Sequence, residues 1–241
     1  MRKFVLSGLM LAALVPAGAS HAADILPGPA PLAPEILWQG FYIGLNGGGA
    51  SGSSCWNFVD TVPAGLGGPP AGEGCNSPSG AVAGGQLGYN WQISRWVFGL
   101  EAQGDWANIS GQNVSLAFPT TTNRVRWDAL GLFTGRIGLA WGPLLLYVKG
   151  GGAVAQAKYD FFGTLFALPI SGNTSETRWG ATVGGGFEYR LTSNWSAAVE
   201  YDYVDLGKSH RTFATTLGVD SIEDIDQHTN VVTGRLNYRF P

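Results

Sequence analysis

Residues 229–240 read TNVVTGRLNYRF. Taken two at a time, they separate into an uncharged face (Val232, Gly234, Leu236, Tyr238, Phe240) and a polar one (Val231, Thr233, Arg235, Asn237, Arg239). Strict alternation over this length is the period of a β-strand with one apolar and one polar side. A tilted strand crosses a bilayer in about 9–11 residues, so this stretch is long enough to span one. It closes on the aromatic Phe240, with only Pro241 after it.

The same design recurs upstream, in residues 40–49, 80–91, 95–107, 125–141, 144–156, 177–191 and 195–206. Tight turns at Gln92-Ile93-Ser94, Gly142-Pro143 and Thr192-Ser193-Asn194 alternate with long polar stretches at 51–79, 108–123, 157–176 and 207–228. All long connections therefore emerge at one end and all short turns at the other. The pattern predicts an all-β fold, an eight-stranded antiparallel up-and-down transmembrane β-barrel over residues 38–241. Its long loops would be extracellular and its short turns periplasmic.

Composition agrees. Only 13% of residues are charged, about half the usual share of a soluble protein. There are 37 glycines and nine tryptophans in 241 residues. Outside the N-terminus no apolar run is long enough for a membrane helix. Low charge without long apolar runs fits apolar residues placed at every second position.

The N-terminus predicts a secretory signal peptide over residues 1–22. Arg2 and Lys3 begin it, Phe4 to Val15 supply the apolar segment, and Ser20-His21-Ala22 forms a small-x-small cleavage site. A single anchoring helix is the weaker alternative, because the apolar segment is short for a span. Residues 23–37, with four prolines, read as a Pro/Ala-rich periplasmic leader. Cleavage leaves 12 basic against 17 acidic residues, a formal charge of −5. That balance gives no reason to expect nucleic-acid binding. Cys55 and Cys75 are the only cysteines and share one Gly/Pro-rich stretch of an exported chain. A disulfide is the better reading. A two-cysteine metal site is the alternative, although the C-x2-C spacing is missing and no histidine lies nearby.

Alternation alone does not say which face is outside. A soluble lipocalin-like barrel would keep its apolar face inward. Tryptophan placement argues for lipid. Trp91, Trp96, Trp141 and Trp195 flank the short turns, while Trp106, Trp127 and Trp179 sit at the far strand ends, all on the apolar face. Two such rings are what bilayer interfaces favour. Charge depth argues the same way. Glu101, Lys149 and Glu200 lie about six residues into their strands from the short-turn end, and Arg136 and Arg235 about five. Five charges of mixed sign at one depth predict an internal ion-pair layer, because unpaired charge at bilayer depth is costly.

At these residues the chain resembles a family. The segment WQGFYIGLNGGG (38–49) after a Pro/Ala-rich leader is similar to the opening of small alphaproteobacterial outer-membrane immunogenic, or porin-family, proteins of the OmpA-like barrel superfamily. LFTGRIGLAWGPLLLYVKGGGAV (132–154), WGATVGGGFEYRLTSNWSAAVEYDYVDLG (179–207) and GRLNYRF (234–240) fit the same pattern. The resemblance implies a cell outer-membrane location and contact with outer-membrane lipid and lipopolysaccharide. It implies periplasmic chaperones and the barrel-assembly machinery as partners in biogenesis, with Phe240 as the assembly signal. Two departures stand out: Pro241 follows that aromatic, and residues 55–75 make a longer first loop than expected.

No catalytic, cofactor or metal residues are assigned. The triple glycines 47–49, 150–152 and 184–186 lack the Lys-Ser/Thr of a phosphate loop. They read as space for inward side chains in a narrow barrel. His210 and His228, near Ser209 and Asp226, are conceivable hydrolase or acyltransferase residues, but proximity in one loop is a weak signal. The acidic residues Asp220, Glu223, Asp224 and Asp226 fit no defined calcium loop and read as solvated. The expected function is structural, supporting the envelope and presenting loops for surface interaction, without enzyme activity. The alternative is a narrow, low-conductance porin for small solutes.

Overall fold

The computed structural model describes residues 38–65, 68–165, 168–214 and 218–240. The expectations for the signal peptide, the leader and Pro241 lie outside the described residues. The strands are β1 (Gly40–Val62), β2 (Ala71–Asn76), β3 (Ser79–Ile93), β4 (Trp96–Val114), β5 (Thr121–Trp141), β6 (Leu144–Leu165), β7 (Leu168–Arg190), β8 (Trp195–Phe213) and β9 (Asp220–Arg239). From β3 to β9 each strand pairs antiparallel with the next, and β1 pairs with β3 on one edge and β9 on the other. The β1–β9 ladder runs from Tyr42↔Arg239 to Val62↔Asp220 and closes the sheet on itself. This is the all-β, eight-stranded antiparallel barrel that the alternation predicts. Short β2 is a ninth piece on the same edge as β3. It pairs with Ser54–Phe58 of β1, beyond the last β1–β3 pair at Ser51↔Ser79.

The stretches read as loops are mostly strand. β1, β4, β6, β7, β8 and β9 run on into them, leaving, among the described residues at that end, only 63–65, 68–70, 77–78, 115–120, 214 and 218–219 outside the strands. The main strands are 15–23 residues long, and most are about twice what a bilayer crossing needs. The barrel therefore projects past the membrane. Beyond lipid, the outer face meets water and must be polar, so the alternation inverts. Near the short turns, Phe98, Leu100, Phe133, Val148, Val199 and Leu236 are exposed outward, while Glu101, Arg136, Lys149 and Arg235 are buried inside. In the projecting half, Trp56, Ile109, Val125, Tyr159, Phe213 and Ile225 are buried inside, and Arg126, Lys158 and His210 are exposed.

Bulges help execute this inversion. The register shifts between Trp127 and Ala129 on β5 and between Asp205 and Gly207 on β8. One extra residue in a strand turns every later side chain to the opposite face. On β5, Phe133 and Ile137 face out, yet Val125 and Trp127, of the same parity, face in. This corrects the expectation for Trp127, which is 1% exposed and belongs to the interior rather than to an interface ring. Trp91, Trp96, Trp106, Trp141, Trp179 and Trp195 are all exposed on the outer face.

Candidate functional site in the barrel interior

Alternation on β4 to β9 aims the polar face of each strand at the axis, where the side chains meet. Lys149 Nζ lies 2.6 Å from Glu200, 3.2 Å from Asp202 and 3.6 Å from Glu101. Arg235 pairs with Glu101 at 2.8 Å and with Glu200. Arg136 lies 3.5 Å from Glu188 and 3.9 Å from Glu101, and Arg239 lies 3.8 Å from Glu188. The Tyr42 and Tyr147 hydroxyls donate to Glu101 and Glu200, each at 2.6 Å. The Arg136 terminal nitrogens make no hydrogen bond, but its guanidinium sits over the Tyr42 and Tyr147 rings at 4.6 and 5.1 Å. A desolvated cation–π contact of this kind is worth about 2 kcal/mol. Four carboxylates face four cations, so this layer is close to neutral.

The layer brings together Glu101, Arg136, Lys149, Glu200 and Arg235, the five charges singled out by depth, and adds Glu188, Asp202, Arg239, Tyr42 and Tyr147. Parity places those five on the inward faces too. Counting depth from the turns misses them, because tilted strands stagger neighbouring rows. Glycine makes the room. A Cβ on Gly88 would meet the Tyr42 hydroxyl at 2.3 Å, and one on Gly99 would crowd Arg136 at 3.0 Å.

Further blocks lie on either side of this layer. At the short-turn mouth, Trp38 is fully buried, with Arg190 and Arg239 each 5.0 Å from its ring. Its indole donates to the Gly142 carbonyl at 3.3 Å, and its own carbonyl accepts from Asn90 and Arg239. In the projecting half, Trp56 stacks on Phe213 at 5.7 Å and meets Tyr159 edge-on at 5.9 Å, with Phe161 against Phe213 at 5.6 Å. Beneath them Arg178 donates to the Leu206 and Gly207 carbonyls at 2.9 and 2.6 Å. These carbonyls lie at the β8 bulge, where ladder pairing is interrupted, so the buried guanidinium answers polar groups the bulge leaves over.

Cys55 and Cys75 form a disulfide across the β1–β2 pair. It ties β2 where the Glu73 carbonyl also accepts from Leu116 N and Asn113 Nδ2, each at 3.0 Å, so β2 bridges β1 to β4. Glu73 and Glu223 are both buried at this end. Burial, then the charge of Glu73, pushes Glu223 up to about 8. On β8, Ser209 and His210 are neighbours and so point to opposite faces. Ser209 Oγ accepts from Arg211 at 2.7 Å, whereas His210 Nδ1 lies 2.7 Å from Asp224 on the exposed side. His228 packs against Tyr203 at 5.9 Å. Ser209 and His210 are thus not placed as nucleophile and base. Among the described residues, no group of three or more His, Cys, Asp or Glu side chains is arranged to hold a metal ion.

The sequence comparisons agree on the kind of molecule. The family model described as "outer membrane protein beta-barrel domain" matches residues 10–240. The 31 kDa outer-membrane immunogenic protein of Brucella melitensis is 30% identical over 239 residues, covering 93% of this chain and 95% of that one. The 22 kDa outer membrane protein of Rhizobium leguminosarum bv. viciae is 31% identical over 178 residues, 73% of this chain and 68% of that one. Among solved structures, OprG of Pseudomonas aeruginosa superposes over 84% of this chain and 96% of its own, with 14% identity and a TM-score of 0.47.

Proposed function

The chain belongs to the outer membrane protein β-barrel domain family, and from that premise we propose that it is a sealed envelope barrel. In this reading it supports the outer membrane and displays a rigid extracellular extension for surface interactions, without passing solutes or catalysing a reaction. One observation carries the reading: the bore is occupied at successive levels. Trp38 fills the short-turn mouth, the Glu101–Arg136–Lys149–Glu200–Arg235 network fills the membrane level, and Trp56, Trp127, Tyr159 and Phe213 fill the projecting half. An eight-stranded barrel is about wide enough for its own side chains. An apolar plug above an ion-pair layer leaves an ion no wet path.

Phe240 is the proposed assembly signal. Its backbone N–H donates to the Phe41 carbonyl at 3.0 Å, beside the β1–β9 closure, so recognition of this end and sealing of the last seam involve the same residues. Planar-bilayer recording of the refolded protein tests the sealed state. The expected trace is flat. Steady unitary steps that change size with Glu101 or Arg235 substitutions would overturn the reading in favour of a narrow porin.

A further inference from the structure

The outer wall is uneven at the upper edge of the lipid-facing band. Two tryptophans stand out furthest there: Trp106 on β4 is 80% exposed and Trp179 on β7 is 69% exposed, against 43–48% for the four at the short-turn rim. Between them the surface is recessed. The register aligns Trp106, Ala129, Gln156 and Thr177 in one row and Gly104, Gly131, Val154 and Trp179 in the row below. Within these rows lies a groove of about 500 Å³ lined by Gly104, Trp106, Ala129, Gly131, Val154 and Thr177, with Trp179 just outside it beside Val154. A Cβ on Gly104 would meet nothing within 4 Å. Barrel packing does not demand glycine at this position. Its absence of side chain keeps the wall hollow.

Above the groove the next aligned row is Ser110, Arg126, Lys158 and Ser175. Lys158 is held by Asp128 at 2.5 Å. Arg124 donates to Gln112 at 3.1 Å, lies over the Phe162 ring and stands opposite Asp160. The Arg126 side chain is exposed and makes no hydrogen bond or ion pair among the described residues. The β8–β9 wall differs, with Asp205, Asp224 and Asp226 against Lys208. An anionic group at this height is therefore attracted to the β5–β6 side and repelled from the β8–β9 side.

We propose that the groove and Arg126 form a docking site for one phosphorylated glycolipid of the outer leaflet, of the lipid A type. An acyl chain lies in the hollow beside Trp106, where an aromatic wall suits the interface. A phosphate meets Arg126, whose fork of donors matches its oxygens. Gln156 and Thr177 lie between, at the depth of the sugar and its acyl linkages. The site rests on the outer-membrane reading and adds a lipid class and a side of the barrel to it.

Native mass spectrometry of the refolded full chain tests it, using bisphosphorylated lipid A and its dephosphorylated form as the two probes. One bisphosphorylated lipid is expected to stay bound, with the dephosphorylated form retained on the order of tenfold less, as for loss of a charge-assisted contact. Arg126→Glu should lower retention similarly, Gly104→Leu should lower retention of both lipids by filling the hollow, and Lys208→Glu should change nothing. Equal retention of the two lipids, or no effect of either Arg126→Glu or Gly104→Leu, overturns the site. A heat-modifiability gel run on every variant reports folding separately, so a chain that never forms the barrel speaks against the outer-membrane reading instead.

Discussion

Replacing Arg235 by Met is expected to destabilise the barrel by about 3–5 kcal/mol, the cost of breaking a buried ion pair from one side. The two side chains are similar in length, so little cavity is left, and the loss comes from the charge. Arg235 lies 2.8 Å from Glu101 and also pairs with Glu200, and all three side chains are at most 1% exposed. Without it, Glu101 and Glu200 keep Lys149, two tyrosine hydroxyls and the more distant Arg136, 3.9 Å from Glu101, so the four carboxylates of the layer face three cations and one is left uncompensated at bilayer depth. Urea unfolding in liposomes, followed by tryptophan fluorescence, measures the change. A lower midpoint with an unchanged slope is the expected result. An unchanged midpoint would mean that water or lipid headgroups already reach this layer.

Replacing Trp127 by Ala is expected to cost about 3–5 kcal/mol, as for truncation of a large buried aromatic. Trp127 is 1% exposed and packs in the apolar cluster of the projecting half. Trp106 looks equivalent in sequence, yet it stands 80% exposed on the lipid side. Trp106→Ala should therefore cost clearly less in the same unfolding assay. The reverse order would place Trp127 in lipid and remove the β5 bulge from the account.

That pair shows where the sequence is legible and where it stops. Within the bilayer, water is absent outside and polar groups are confined inside. Side chains sort sharply, and residues such as Leu236 and Arg235 declare their faces. Above the bilayer both faces tolerate a mixture, so 51–62 and 207–213 look like loops although hydrogen-bonded ladders continue through them. The bulge at Asp128 is less visible still. Val125, Trp127, Ala129 and Phe133 keep one unbroken parity in sequence while the wall they face changes from interior to lipid. Glu188, Asp202 and Arg239 are readable by parity but not by depth, since stagger between tilted strands is a property of the closed barrel. The disulfide is legible because both cysteines fall in one stretch. Its structural consequence, β2 bridging β1 and β4, is not.

Nitroxide labels placed singly along β9 test the central claim most directly, that one face of this strand meets lipid and the other a sealed interior. In liposomes, labels at Val232, Leu236 and Tyr238 should be reached by oxygen dissolved in the bilayer. Labels at Thr233 and Asn237, each 1% exposed, should be shielded from both oxygen and a water-soluble nickel reagent. Access of the nickel reagent to Thr233 and Asn237 would reveal a wet bore and contradict the account.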